Sequence, residues 1–203
     1  MEFQNVLIGR RSIRRYKEME VPLYLIGEIL DVARYAPSSG NLQNWKVVMV
    51  TDLEKRQQIA EACLQQDWMV EAPVYLVICN EYKEVKEHYD KLGKLFSIQN
   101  CASFAYAITL AAYERGLGSC WVGLFDNEAV QRILEMPEDI DPEIILTLGY
   151  TDEIKEPSLR EDPRYLTFFN RWGETFTEFP SHVKNFLSLS EIKKQIKKVK
   201  ENV

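Results

Sequence analysis

An α+β fold is predicted by two observations. Four short strand-like apolar runs, at 46–51, 74–79, 119–122 and 143–150, are separated by stretches whose apolar residues recur at helical spacing. The most apolar of these stretches, 97–115, is apolar on more than one face, as a helix buried nearly all round would be. At 203 residues and 46% hydrophobic, the chain can bury a sizeable core as one domain, or as one domain with an arm.

The elements follow in order. Phe3, Val6 and Leu7 at helical spacing, stopped by Gly9, predict a short helix over 2–9. Pro22 opens a second helix, with Leu23, Ile26, Ile29, Leu30 and Ala33 on one apolar face. Pro37 forbids its simple continuation. The run Ser38-Ser39-Gly40-Asn41 is rich in backbone donors and small side chains. It suits either a loop lying flat against a planar ligand or an ordinary helix-to-strand connection. The strand 46–51 leads to Asp52, which can cap a helix reaching about 64. Residues 65–69 read as a polar loop carrying Trp68, exposed or stacking. After Pro73, the unbroken apolar run 74–79 reads as a fully buried strand. Residues 81–95 alternate Glu and Lys and predict a solvent-facing helical segment.

The helix 97–115 suits either the core or a dimer interface, and Gly116-Leu117-Gly118 ends it. A strand at 119–122 runs into Gly123, Asp126 caps a helix reaching 134, Pro137 stops it, and 143–150 is the last clear strand. An irregular stretch with Pro157, Arg160 and Pro163 precedes the aromatics Tyr165, Phe168, Phe169 and Trp172. Near the end, Ile192, Ile196 and Val199 oppose five lysines. Three aliphatics anchor little area, which favours a docking or frayed terminal helix over a membrane-surface one.

Four arginines fall within Arg10-Arg11-Ser12-Ile13-Arg14-Arg15, in a chain of net charge −6. The planar donor fork of arginine suits phosphate or carboxylate oxygens, so a local anion is one reading; a solvated turn paired with Glu and Asp is the other. The acidic total argues against a nucleic-acid partner. Gly116, Gly118 and Gly123 do not form G-x-G-x-x-G, because Trp121 takes the last position and the order is helix then strand. They read as a helix stop and a place where backbone approaches something closely. Cys63, Cys79, Cys101 and Cys120 form no C-x-x-C pair, and His88 and His182 are the only histidines. That excludes a zinc site or a histidine-activated nucleophile as the first expectation, and leaves small buried cysteines in a reducing compartment. With no signal-like N-terminus and no apolar run judged long enough to span a bilayer, a cytoplasmic protein that engages no membrane is expected.

Taken together, Arg10-Arg11-Ser12-Ile13-Arg14, Ala36-Pro37-Ser38-Ser39-Gly40-Asn41-Leu42-Gln43 with Trp45, Glu71-Ala72-Pro73, Gly116 to Gly123, and Leu148-Gly149-Tyr150 with the following Pro and Arg carry a resemblance. The chain resembles the FMN-dependent nitroreductase family over residues 3 to about 172. The resemblance implies a three-layer α/β/α sandwich with a mostly antiparallel central sheet, in an intertwined homodimer with shared FMN sites. It implies an FMN-binding domain over 1–180 and an arm over 181–203. It implies that Arg10 pairs with the FMN phosphate, completed by Arg160, with Arg171 as a competitor for that place. Arg11 and Ser12 would contact the ribityl chain and pyrimidine, and Arg14 would place positive charge near flavin N1 and C2. Pro37, Ser38, Ser39 and Asn41 would come from the partner subunit. Cys120, Trp121, Val122 and Gly123 would run near N5, and Gln66 near the pyrimidine edge. The family usually has Pro where Asn44 stands, from which a small change of loop stiffness is expected, without loss of flavin.

The implied activity is ping-pong transfer of hydride from NADH or NADPH, through flavin N5, to nitroaromatic, quinone or similar small aromatic acceptors. No side chain acts as the catalyst; the flavin carries the chemistry and Arg14 tunes it. The alternatives are a non-catalytic FMN-binding or sensing protein, and a dehalogenase or flavin-fragmenting relative with 81–94 as the one evident lid.

Overall fold

The computed structural model describes residues 1–156 and 158–175. In chain order the elements are α1 (Phe3–Gly9), α2 (Leu23–Ala33), β1 (Trp45–Val50), α3 (Leu53–Ala62), β2 (Val74–Asn80), α4 (Lys83–Tyr89) and α5 (Gly93–Glu114). Then follow β3 (Gly118–Val122), α6 (Asn127–Ile133), β4 (Asp141–Gly149) and α7 (Pro163–Leu166). Short 3-10 turns stand at Ser39–Asn41, Asp67–Glu71 and Asp90–Leu92. The residues divide into two units, Arg10–Glu153 and Met1–Gly9 with the chain from Ile154 onward. In the second unit, α1 and α7 are the helices among the described residues, and Asp162 caps α7 through Oδ1. The expected arm at 181–203 and its lysine-rich helix lie outside the described residues.

In the larger unit the sheet runs β1-β2-β4-β3 and every strand pair is antiparallel. All seven residues of β2 are buried, as its unbroken apolar run predicts. Strand side chains alternate between faces, so β2 serves two cores at once. Val74, Leu76 and Ile78 pack with Ile26 and Ile29 of α2 and with Phe104 and Ile108 of α5. Tyr75, Val77 and Cys79 face the other way, onto Ile59 of α3, Met69 and Val130 of α6. The result is the three-layer α/β/α arrangement with an antiparallel sheet. Burying one such aliphatic side chain is worth roughly 1.5–3 kcal/mol.

The helix boundaries follow local chemistry. Asp52 Oδ1 accepts from the Lys55 amide at 2.9 Å, and Asp126 Oδ1 from the Ala129 amide at 3.0 Å. Gly116, at φ 78°, ends α5, with its amide donating to the Tyr113 carbonyl and the Leu117 amide to that of Ala112. The 22-residue α5 lies in the first core and contributes Phe104, whose ring stacks on Trp45 at 4.7 Å. By length and composition, Lys83–Glu114 holds a window apolar enough to cross a bilayer, contrary to the sequence expectation, and half of that window is buried against the protein.

Other expectations need correction. Leu23 is 63% exposed, and the buried stripe of α2 is Leu25, Ile26, Ile29 and Ala33. β1 is an edge strand, so its apolar run is only partly covered and Met49 is 42% exposed. The charged segment is helical and solvent-facing as expected, with Val85 as the one buried residue of α4, while α5 begins at Gly93, four residues before the expected start at 97. Residues 67–71 form a 3-10 turn where a loop was expected.

These burial differences predict different costs of truncation. Leu76→Ala should destabilise by about 2–5 kcal/mol. Met49→Ala, on the exposed margin, should stay within about 0.5 kcal/mol. Urea unfolding of both variants checks the layer assignment.

Candidate functional site

The arginine segment is a fixed strap beside the sheet. Ser12 pairs with Ser119 of β3 in a parallel bridge, and the Ile13 amide donates to the Ser119 carbonyl at 2.9 Å. The chain leaving β4 holds the other side. The Arg14 amide donates to Glu153 Oε2 at 3.0 Å, Thr151 Oγ1 donates to the Arg15 carbonyl at 2.7 Å, and the Lys17 amide donates to the Tyr150 carbonyl. Tyr16 Oη donates to the Ile13 carbonyl at 2.8 Å, and it lies 2.7 Å from Thr147 Oγ1. Gly118 and Gly149 face each other where the strap crosses. A Cβ on Gly118 would stand 3.0 Å from Ile13 Cγ2, and one on Gly149 would stand 2.9 Å from Tyr16 Cδ1. The close approach expected at the glycine run is made at Gly118 by Thr151 and by Ile13 of the arginine segment.

This anchoring is made chiefly by backbone groups of the strap. Arg10 Cζ sits 5.9 Å from the Tyr106 ring centre, and its Nε is shut from solvent with no hydrogen-bond partner among the described residues. A buried donor of this kind is costly until an acceptor meets it, and an anionic oxygen would do so. Arg11 Nη1 donates to the Arg10 carbonyl at 2.6 Å. Arg14 lies over the Trp68 ring at 5.5 Å, a cation–π contact from the 3-10 turn. Trp68 is therefore the stacking residue that the sequence left undecided.

Gln66, Trp121, Val122 and Gly123 line one open cleft of about 370 Å³, with Leu64 and Leu124. The cleft joins four residues that the sequence had placed in two motifs. The Cys120 and Val122 side chains are buried in β3, while Trp121 is 39% exposed. β3 thus offers the cleft one aromatic ring and its main chain. Burial pushes the Cys63, Cys79 and Cys101 thiols up to about 12, so they stay protonated at neutral pH.

Pro37, Ser38, Ser39 and Asn41 stand apart from this cleft. Their loop precedes β1, at the sheet margin opposite β3. Its anchor is a run of buried amides. The Ser39 amide and Oγ donate to Asn100 Oδ1 at 2.9 and 3.2 Å, and Asn100 Nδ2 donates to Asn44 Oδ1 at 2.7 Å. Asn44 Nδ2 donates to Asn80 Oδ1 at 2.8 Å, and Asn80 Nδ2 donates to Glu143 Oε1 at 2.7 Å and to Ser97 Oγ at 3.0 Å. Arg160 belongs to the smaller unit, is exposed, and donates through Nη1 to Ser158 Oγ and the Leu159 carbonyl. Arg171 Nε bonds Glu174 Oε2 at 3.0 Å in the same unit.

Asn80, Asn100, Tyr106 and Glu143 were not singled out from sequence. Asn80 ends an apolar strand, and Asn100 interrupts an apolar helix; an amide at such a position is the signal that was available.

Comparison with known proteins places these features in a family. The sequence profile of the nitroreductase family matches residues 7–66 and 62–150. A protein of Methanothermobacter thermautotrophicus described as a putative NADH dehydrogenase/NAD(P)H nitroreductase is 31% identical over 159 residues, covering 75% of this chain and 79% of that one. An iodotyrosine deiodinase of Thermotoga neapolitana is 27% identical over 186 residues, covering 78% and 95%. The solved structure of an FMN-dependent nitroreductase from Clostridium difficile is 30% identical, with a TM-score of 0.71, covering 83% of this chain and 99% of that one. The chain is an oxidoreductase, and it belongs to the nitroreductase family.

Glu143 yields a prediction with a definite sign. Burial, partly offset by the Asn80 hydrogen bond, raises its pKa from the ordinary 4.5; Asp141 adds to the rise and Lys94 opposes it. The folded state therefore binds this proton more tightly than the unfolded state, and stability falls as pH rises from the ordinary value through the raised one. Glu143→Gln, which keeps an acceptor for Asn80, should raise the melting temperature at pH 7. That gain should shrink as pH falls below the ordinary carboxylate value. Thermal melts across pH check both parts.

Proposed function

We propose that the protein is an FMN-dependent oxidoreductase that draws electrons from NADH or NADPH and reduces nitroaromatic, quinone or similar small aromatic acceptors. It works as a homodimer with shared FMN sites. The observation that carries this reading is Arg10 Nε, a buried donor without an acceptor on a strap otherwise tied down by its backbone. An FMN phosphate supplies the missing acceptor. The residues therefore fit the cofactor at the point where fit is most demanding.

Arg10 holds the phosphate. Arg11 and Ser12 give polar contacts to the ribityl chain and pyrimidine. Arg14, backed by Trp68, sets positive charge beside the pyrimidine edge, where it favours added negative charge and raises the reduction potential. The main chain of Cys120 to Gly123 orients the ring's other edge, and Gln66 closes the pyrimidine side. Bound FMN would supply the hydride transfer itself, accepting from the nicotinamide and delivering to the acceptor in a ping-pong sequence. Burial keeps the Cys63, Cys79 and Cys101 thiols protonated, and water supplies protons.

The sheet separates the Pro37–Asn41 loop from the strap within one chain, so the partner subunit delivers that loop. Exposed apolar side chains on α2 and α5, among them Tyr24 at 66% and Leu95 at 51%, provide apolar area for that association. A dehalogenase reading is favoured by relatives named as an iodotyrosine dehalogenase homologue and an iodotyrosine deiodinase. The segment it would use as a lid is tied to the protein through buried Val85.

The purified protein should be yellow with non-covalent FMN, and NADH or NADPH should bleach it without oxygen. A colourless protein that FMN cannot reconstitute overturns the reading. Arg10→Ala should weaken FMN by about 10-fold or more, the loss of a charged hydrogen bond, with Arg15→Ala within about two-fold of wild type. Fluorescence titration compares them. Ser39→Trp should empty the flavin site while light scattering still reports a dimer.

A further inference from the structure

We infer that Asn44 is a positioning residue for the Pro37–Gln43 loop, acting on Ser39 through Asn100. The role builds on the proposal that this loop lines FMN, and it assigns a function to a residue that touches no proposed ligand position.

The loop needs outside support. Gly40, Asn41 and Gln43 have φ of 58°, 59° and 45°; Gly and Asn enter the left-handed region readily, and Gln43 carries a side chain that disfavours it. Sequential 3-10 bonds, from the Asn41 amide to the Ser38 carbonyl and from the Leu42 amide to that of Ser39, give only local order. The tie to the rest of the protein at Ser39 is the Asn100 carboxamide oxygen, which takes both the amide and the hydroxyl. An Asn side chain turns easily about its last bond, so its oxygen stays aimed at Ser39 only while its nitrogen is held. Asn44 Oδ1 holds that nitrogen at 2.7 Å.

Asn44 is itself fixed in one orientation. Its Nδ2 donates to Asn80 Oδ1 and, at 3.3 Å, to the Ser97 carbonyl. Asn80 is fixed in turn by donating to Glu143 Oε1, a carboxylate oxygen that can only accept while ionised. From Glu143 to Ser39 the amides are bonded in one sense, and reversing any of them sets like atoms against each other. Asn44 is the central member and is 4% exposed. A proline there, as the family usually has, could not make these bonds. The loop geometry thus depends on a side-chain run that this chain supplies for itself.

The test is a double-mutant cycle of Asn44→Leu and Asn100→Leu, with Val77→Ala as a control that loosens the opposite core without touching the run. FMN affinity is read by titration, and exchange of the Ser39 amide is read in the apoprotein. Each leucine variant should weaken FMN by about 10-fold and speed Ser39 exchange by at least as much, and the double variant should be no more than about two-fold worse than the weaker single one. Val77→Ala should leave FMN affinity within about two-fold of wild type. Where Asn44→Leu does not fold, Asn44→Ala, which adds no bulk, gives the same reading. Unchanged Ser39 exchange in the Asn44 variant overturns the role; so do unchanged FMN affinity and fully additive losses in a protein that binds FMN. If wild type takes up no FMN, the proposed function fails separately. Ser39 exchange then decides alone, faster exchange supporting the positioning role and unchanged exchange overturning it.

Discussion

β2 is buried along its full length and on both faces, and this one strand dictates where everything else stands. A strand with no solvent face must have a helical layer on each side and a strand on each margin. The sheet meets that demand with β1 and β4 beside β2, and with β3 outside β4. Two margins remain, and unpaired strand margins are where backbone donors and acceptors are available for other uses. The β3 margin takes the arginine strap. The chain just before the β1 margin carries the serine loop. Three strand-to-strand steps of about 4.8 Å separate the margins, roughly 14 Å of filled core. No small loop movement brings the two margins together within one chain.

The strap shows how a cluster of like charges is tolerated in a fixed place. Its bonds to Ser119, Tyr150, Thr151 and Glu153 are made by main-chain groups, so the fold does not depend on what the guanidinium groups do. Gly118 and Gly149 allow this by letting Ile13 and Tyr16 lie directly on the strands. Glu153 adds a carboxylate at the Arg14 amide, which lowers the local positive field without occupying the Arg14 side chain. Anchoring of the strap thus falls chiefly to its backbone, with Tyr16 Oη added. This leaves Arg10 with an unmet donor in an otherwise well-bonded segment.

What was legible in the sequence is what short-range physics controls. The run 74–79 announced a strand buried on both faces, Asp52 and Asp126 announced helix starts, and Gly116 announced a helix end; each depends on residues within one turn of itself. The ordered motifs announced the family, and the Gln66 and Trp121–Gly123 motifs do meet in one cleft. The misses are long-range. Leu23 and Met49 fit apolar patterns, yet a pattern does not say whether a second layer covers that spot. The charge-rich segment around Val85 hid a single anchor that periodicity over so few residues cannot weigh. Asn44, Asn80 and Asn100 lie far apart in the chain, and nothing in the local pattern of one points to the other two. The Asn in place of a customary Pro was visible, but its consequence depends on partners 36 and 56 residues away.

An amide run in a core that could have been apolar needs a reason, since each buried carboxamide costs on the order of 1–3 kcal/mol unless its groups are paired. Apolar packing fixes depth well and rotation poorly, because Leu and Ile accept many contacts of similar energy. Amides are directional, and a run that ends on a carboxylate has a single sense. Glu143 can only accept while ionised, Asn80 must then present its nitrogen to it, and that choice passes through Asn44 and Asn100 to the Ser39 amide. The raised pKa of Glu143 records what it costs to keep that carboxylate half-buried. A loop whose residues sit in the left-handed region gains more from fixed orientation than from extra apolar area, because its competing states differ in backbone rotation and hardly at all in burial. The polar run stands where rotation has to be set, and the apolar cores stand where depth is enough.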